Sequence, residues 1–162
     1  GSTGSSSIAE NTEPVSPVSA CKSLTLDDLK SLYPTKEFKV EVDRNDTPNI
    51  YEALSGCRYA EVTKEAFDAY YVDLEVRAKP SSKEALRMLS DNKELDYDKR
   101  GKVVQGVGDD AYYLNLSMVA GGPKLAFVKG NVYYKLNIQT IKQGSFGSLE
   151  KDIMDLSKKV LD

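Results

Sequence analysis

The sequence predicts an α+β domain, an antiparallel sheet of about six to seven strands with about three helices packed on one face. Three observations predict it. Several segments alternate apolar and polar residues with a period of two, two or three others repeat at helical spacing, and the two kinds do not alternate regularly along the chain.

The first 20 residues, GSTGSSSIAENTEPVSPVSA, offer almost nothing to bury and read as a disordered polar leader or tether. Residues 21–162 read as one domain, long enough for a single core. A helix follows Cys21. Thr25 and Asp28 have capping-box spacing, Leu24 and Leu29 the spacing of a hydrophobic staple, and Leu26, Leu29, Leu32 and Tyr33 line one side before Pro34 stops it. KEFKVEVD places Phe38, Val40 and Val42 on one face of a strand, and RNDTPN then reads as a loop. A helical turn is expected near Ile50 to Leu54, and a second strand at CRYAEV.

Tyr70, Val72, Leu74 and Val76 alternate with Tyr71, Asp73, Glu75 and Arg77, marking a third strand ended by Pro80. Ser81 and Glu84 can cap a helix whose stripe is Ala85, Leu86 and Leu89. Four more strands are expected at 102–107, 111–119, 125–129 and 132–140, the last two joined by a turn at Gly130 and Asn131. The closing helix has Ser148 as cap, Leu149, Ile153, Leu156 and Val160 as its apolar stripe, and Lys158 and Lys159 at its negative dipole end.

Composition narrows function more than motifs do. The chain of 162 residues is 40 % hydrophobic and 29 % charged, with a net charge of −3. That balance argues against a nucleic-acid surface, and no apolar run approaches a membrane span. Histidine is absent, which closes the Ser-His-Asp and Cys-His routes to catalysis and imidazole-ligated zinc. No catalytic residues, cofactor or metal site emerge from the spacing of the remaining groups.

Four features of the sequence are candidate sites. Cys21 and Cys57 admit three readings: a disulfide, a lipid site at Val18-Ser19-Ala20-Cys21, or two free thiols. The residues favour the disulfide, because the leader lacks the apolar run that a lipoprotein signal carries. Closing that loop contributes about 3 to 4 kcal/mol in the chain-entropy model. Gly106, Gly108 and Asp109 read as a turn or bulge motif and not as a phosphate loop, which needs a third glycine and a following helix. Asp109 and Asp110, and the Asp43 to Asn49 loop, read as solvated. Tyr70–Tyr71, Tyr112–Tyr113 and Tyr133–Tyr134 are adjacent pairs on strands, so one ring of each points away from the helices. Ordinary strand packing accounts for them; the sharper reading is an outward binding patch of Tyr71, Tyr113 and Tyr133.

Cys21 before the Leu-rich helix, Gly56-Cys57-Arg58-Tyr59, Gly106-Val107-Gly108-Asp109-Asp110-Ala111-Tyr112, Lys129-Gly130-Asn131 and the closing helix together carry a resemblance. The chain resembles uncharacterised extracytoplasmic bacterial lipoproteins with a paired cysteine and a Gly-x-Gly-Asp-x-Ala turn, similar in fold to PsbP and Mog1. Tyr59 stands where Trp is common in them. The resemblance implies an exported, lipid-anchored, non-enzymatic domain whose two cysteines pair.

The expectation is therefore a non-catalytic binding or interaction module of the cell envelope, periplasmic or membrane-anchored only through a segment upstream. Its partner would be a protein or a small ligand, with no nucleic acid. The alternative is an inhibitor or immunity-type protein that blocks a secreted enzyme, for which an acidic surface is suitable.

Overall fold

The computed structural model describes residues 14–95, 101–116, 121–140 and 146–162. Its elements in chain order are α1 (Ala20–Ser23), α2 (Leu26–Leu32), β1 (Phe38–Asn49), β2 (Glu52–Glu61), a 3-10 turn (Ala66–Asp68) and β3 (Tyr71–Ala78). Then come α3 (Ser82–Leu95), β4 (Lys102–Val103), β5 (Asp110–Leu114), β6 (Lys124–Lys129), β7 (Val132–Gln139) and α4 (Phe146–Leu161).

The seven strands form one antiparallel sheet in the order β1-β2-β3-β7-β6-β5-β4. Two meanders make it. β1 to β3 build one half, α3 carries the chain to the far edge, and β4 to β7 return until β7 pairs with β3. The class is α+β with an open sheet, as the alternating patterns predict.

The helices lie on both faces, not on one. Side chains alternate across each strand, so each core cluster identifies a face. Cys57, Tyr59, Val72, Leu74, Val76, Tyr113, Phe127, Leu136 and Ile138 line the first face and pack under Ala20, Leu24, Leu29, Leu149, Ile153 and Leu156 of the α1–α2 region and α4. The second face is covered only in part, where Ala85 and Leu89 of α3 pack on Tyr112, Ala126, Val128 and Tyr133. The crossover from β3 to the far edge has to traverse a face, and the second was free.

Several local expectations change for tertiary reasons. The chain through RNDTPN stays extended, and β1 runs to Asn49. Pro48 is accommodated because β1 is an edge strand, whose outer N–H groups need no ladder partner. The turn expected over 50–54 contracts to residues 50 and 51, and β2 already begins at Glu52. A register shift between Val40 and Val42 turns Val42 away from the face that holds Val40. Leu26 and Leu86 point outward, leaving Leu29, Leu32 and Tyr33, and Ala85, Met88 and Leu89, as the packed stripes. The closing helix, expected to start at Ser148, spans Phe146–Leu161 and so takes Ser148 within its bounds.

The capping box of Thr25 and Asp28 forms in both directions, at 3.2 and 2.9 Å, and Ser81 accepts from the Glu84 N–H at 3.2 Å. Of the expected leader, residues 1–13 lie outside the described residues. Its last residues join the domain: the Val15 N–H donates to the Ile50 carbonyl at 2.9 Å, and Ala20 is fully buried with its N–H on Ser55 Oγ at 2.7 Å. The expected strand end at 117–119 also lies outside the described residues.

Candidate functional site

Cys21 and Cys57 form a disulfide, with Cα atoms 5.2 Å apart. It ties the start of the helical layer to the middle of β2. The same junction holds Tyr59, whose hydroxyl donates to the carbonyls of Leu24 and Cys21. Burial, reinforced by Asp28 and Asp43, pushes the Tyr59 hydroxyl up to about 12. Ser55 completes it, accepting from Ala20 N–H and donating to Asn45 Oδ1 at 2.7 Å. Disulfide, Tyr59 and Ser55 thus act as one structural clasp on the first face.

The glycine motif is structural too. Gly106 and Gly108 have φ of 82° and 58°, and a Cβ on Gly108 would collide with the Val128 carbonyl. The Asp109 N–H donates to Val128 O, and Asp109 Oδ2 accepts from the Gly130 N–H, both at 2.7 Å. The motif therefore pins the loop before β5 onto the β6–β7 turn. Asn131, in that turn, reaches back to the Lys79 carbonyl at 2.8 Å.

The tyrosine patch does not assemble. Tyr113 belongs to the first face, buried in the main core, where burial and Glu150 raise its hydroxyl to about 12. Tyr133 is on the second face but 1 % exposed beneath α3. Tyr71 alone is near solvent, stacked under the Arg58 guanidinium at 4.5 Å. Adjacent residues do point to opposite faces, as expected; the positions of the helices and the register decide which ring of each pair is covered.

The structure puts a different surface in view: the half of the second face that α3 leaves bare. The strand register lays its residues out in rows. Arg44, Gly56, Glu75 and Lys135 are cross-strand neighbours on β1, β2, β3 and β7, and Val42, Arg58, Asp73 and Asn137 form the adjoining row. Together with Leu54 they line a cavity of about 400 Å³.

Ion pairs organise this surface. Glu75 receives Arg77 at 2.9 Å and Lys135 at 3.2 Å. Arg77 also pairs with Glu52 at 3.5 Å, and Lys79 with Glu52 at 3.2 Å. Arg58 is held more loosely, 3.5 Å from Asp73 and 3.8 Å from Glu41, and its Nε is buried without a hydrogen-bond partner. The two carboxylates on β3 diverge. Burial raises Asp73, against the pull of Arg58, whereas for Glu75 burial is outweighed by Lys135 and Arg77 and the group is lowered.

Sequence reading missed this surface because alternating charges on a strand look like any solvated face. One signal was there. Gly56 sits mid-strand, where glycine weakens a sheet. Among the described residues no cluster of three or more His, Cys, Asp or Glu is placed to hold a metal, and no helix is long and apolar enough to cross a membrane.

No protein-family model matches the chain, and no curated protein sequence does. Among solved structures, the chain is similar to the extracellular domain of PknH from Mycobacterium tuberculosis, with 11 % sequence identity and a TM-score of 0.54 over 90 % of this chain and 98 % of that one, a likeness of fold.

Proposed function

We propose that the chain is a non-catalytic binding or interaction module on the extracytoplasmic side of a bacterial envelope, and that the bare half of the second face is its binding surface. One observation carries the reading: a concave, charged, half-buried surface of about 400 Å³ lies on the half of the second face that α3 leaves bare. The disulfide supports an oxidising compartment. The likeness to an extracellular domain is compatible with that compartment. A lipid anchor upstream, as the lipoprotein resemblance implies, belongs to the same proposal.

The test is retention of an envelope component by the purified protein, with Arg58→Glu as the control that reverses charge on the proposed surface. Wild type should retain a component that the variant loses while both keep the same circular dichroism. A stoichiometric protein points to a protein partner, and an inhibitor would in addition silence that partner's activity. A small molecule seen by native mass spectrometry points to a ligand binder. Equal retention by both proteins would sink the assignment of the surface.

A further inference from the structure

Gly56 is a glycine that its backbone does not require. Its φ lies outside the left-handed region, unlike Gly106, Gly108, Gly121, Gly122 and Gly130. A Cβ built on it would meet nothing within 4 Å. Neither conformation nor close packing explains it, and glycine in a strand interior costs stability. Its consequence is a gap in the row of side chains that Arg44, Glu75 and Lys135 form on the second face, between Arg44 on β1 and Glu75 on β3. Strand spacing makes that gap about 10 Å wide.

The lining of the gap carries Arg44, Arg58 and Lys135 against Asp73 and Glu75, an excess of one cation on a chain of net charge −3, with Glu41 just outside it at 3.8 Å from Arg58. Glu75 is already neutralised by Arg77 and Lys135. Among the described residues Arg44 makes no ion pair, and Arg58 keeps its carboxylates at 3.5 Å or beyond with its Nε unsatisfied. Spare donor capacity thus comes from two guanidiniums that flank Gly56: Arg44 directly across from it, and Arg58 two residues along its own strand, whose other contacts are a 3.5 Å hydrogen bond to Gln139 Oε1 and the Tyr71 ring. Guanidinium donors match the planar geometry of carboxylate and phosphate oxygens. Beside them Val42, 43 % exposed, and Leu54 supply an apolar wall.

Building on the binding-module reading, we infer that the hollow over Gly56 seats a small amphipathic anion, its carboxylate or phosphate held between Arg44 and Arg58 and its apolar part against Val42 and Leu54. Cavities of several hundred Å³ with an apolar wall and a few converging polar groups suit such molecules. Gly56 is then the position at which strand stability is given up for ligand volume.

Hexyl phosphate, hexanoate, inorganic phosphate and hexanol, each titrated into the isotope-labelled protein and followed by amide chemical shifts, test this. Hexyl phosphate or hexanoate should shift Arg44, Gly56 and Arg58 saturably, whichever binds tighter identifying the anion; inorganic phosphate should bind more weakly and hexanol not at all. Arg44→Gln should weaken binding about tenfold, the loss of one charge-assisted hydrogen bond. Gly56→Val should abolish binding while the melting temperature holds or rises. Shifts confined to another surface, or unchanged affinity in the folded variants, would overturn the inference and leave the module reading standing. Silence toward all four probes would also overturn it, whereas the assignment of the bare half as the module's binding surface fails only if envelope components are retained equally by Arg58→Glu and wild type.

Discussion

One face of one sheet carries two unlike surfaces. Under α3 it presents Tyr112, Ala126, Val128 and Tyr133, all nearly dry; over β1, β2 and β3 it presents Arg44, Arg58, Asp73, Glu75 and Arg77 around Gly56. The strands differ little in geometry, so composition decides which half accepts a helix. The apolar half gains stability by being covered. The charged half would have to give up the hydration of its ions, and it stays open, with Glu75 paired to Arg77 and Lys135 while Arg44 makes no ion pair among the described residues.

Exchanging the character of the covered half should have the largest effect on stability. Ala126→Asp places an unpaired carboxylate beneath α3 and is expected to cost more than about 4 kcal/mol, enough to unfold much of the protein in urea titration. Leu89→Ala, which leaves a cavity on the same face, should cost about 2 to 5 kcal/mol by the same measurement. Glu75→Gln on the open half removes two partly exposed ion pairs and should cost only about 0.5 to 1 kcal/mol near neutral pH. If Glu75→Gln proved as damaging as Leu89→Ala, the distinction between a packed half and a hydrated half would be wrong.

The smallest effect is a difference of sign within the open half. Glu75 is lowered in the folded protein, so its contribution is present above the ordinary carboxylate range and is lost as pH falls through its folded pKa. Asp73 is raised, so its contribution is present below the ordinary value near 3.9 and is lost as pH rises through its folded pKa. The penalty of Glu75→Gln should therefore shrink on acidification from neutral pH, while that of Asp73→Asn should grow, by a few tenths of a kcal/mol. Denaturation midpoints at pH 7, 5 and 4 check both. Parallel trends would mean that Lys135 and Arg77 do not set the difference between the two carboxylates.

Legibility followed the range of the interaction. Thr25 with Asp28, Ser81 with Glu84, and the alternation from Tyr70 to Val76 were readable because each involves residues within one turn or a few strand positions. The Gly106-Gly108-Asp109 motif was readable as a turn, though not as the clasp it makes with Val128 and Gly130. The tyrosine patch failed for a different reason: alternation says that neighbours point apart, but not which side receives a helix. The cavity was invisible because Arg44, Gly56, Glu75 and Lys135 come from four strands, and only the register sets them in one row.

Local sequence pattern, then, was enough for the α+β class and most strand and helix positions. Tertiary structure alone decided that α3 crosses the second face, that the bulge at Val40 and Val42 turns one valine toward the open surface, and that Gly56 becomes a hollow between two arginines. The reason is physical. Backbone periodicity is set by neighbours a few residues apart, whereas face, cover and register depend on contacts between strands and helices distant along the chain, whose outcome no single segment contains.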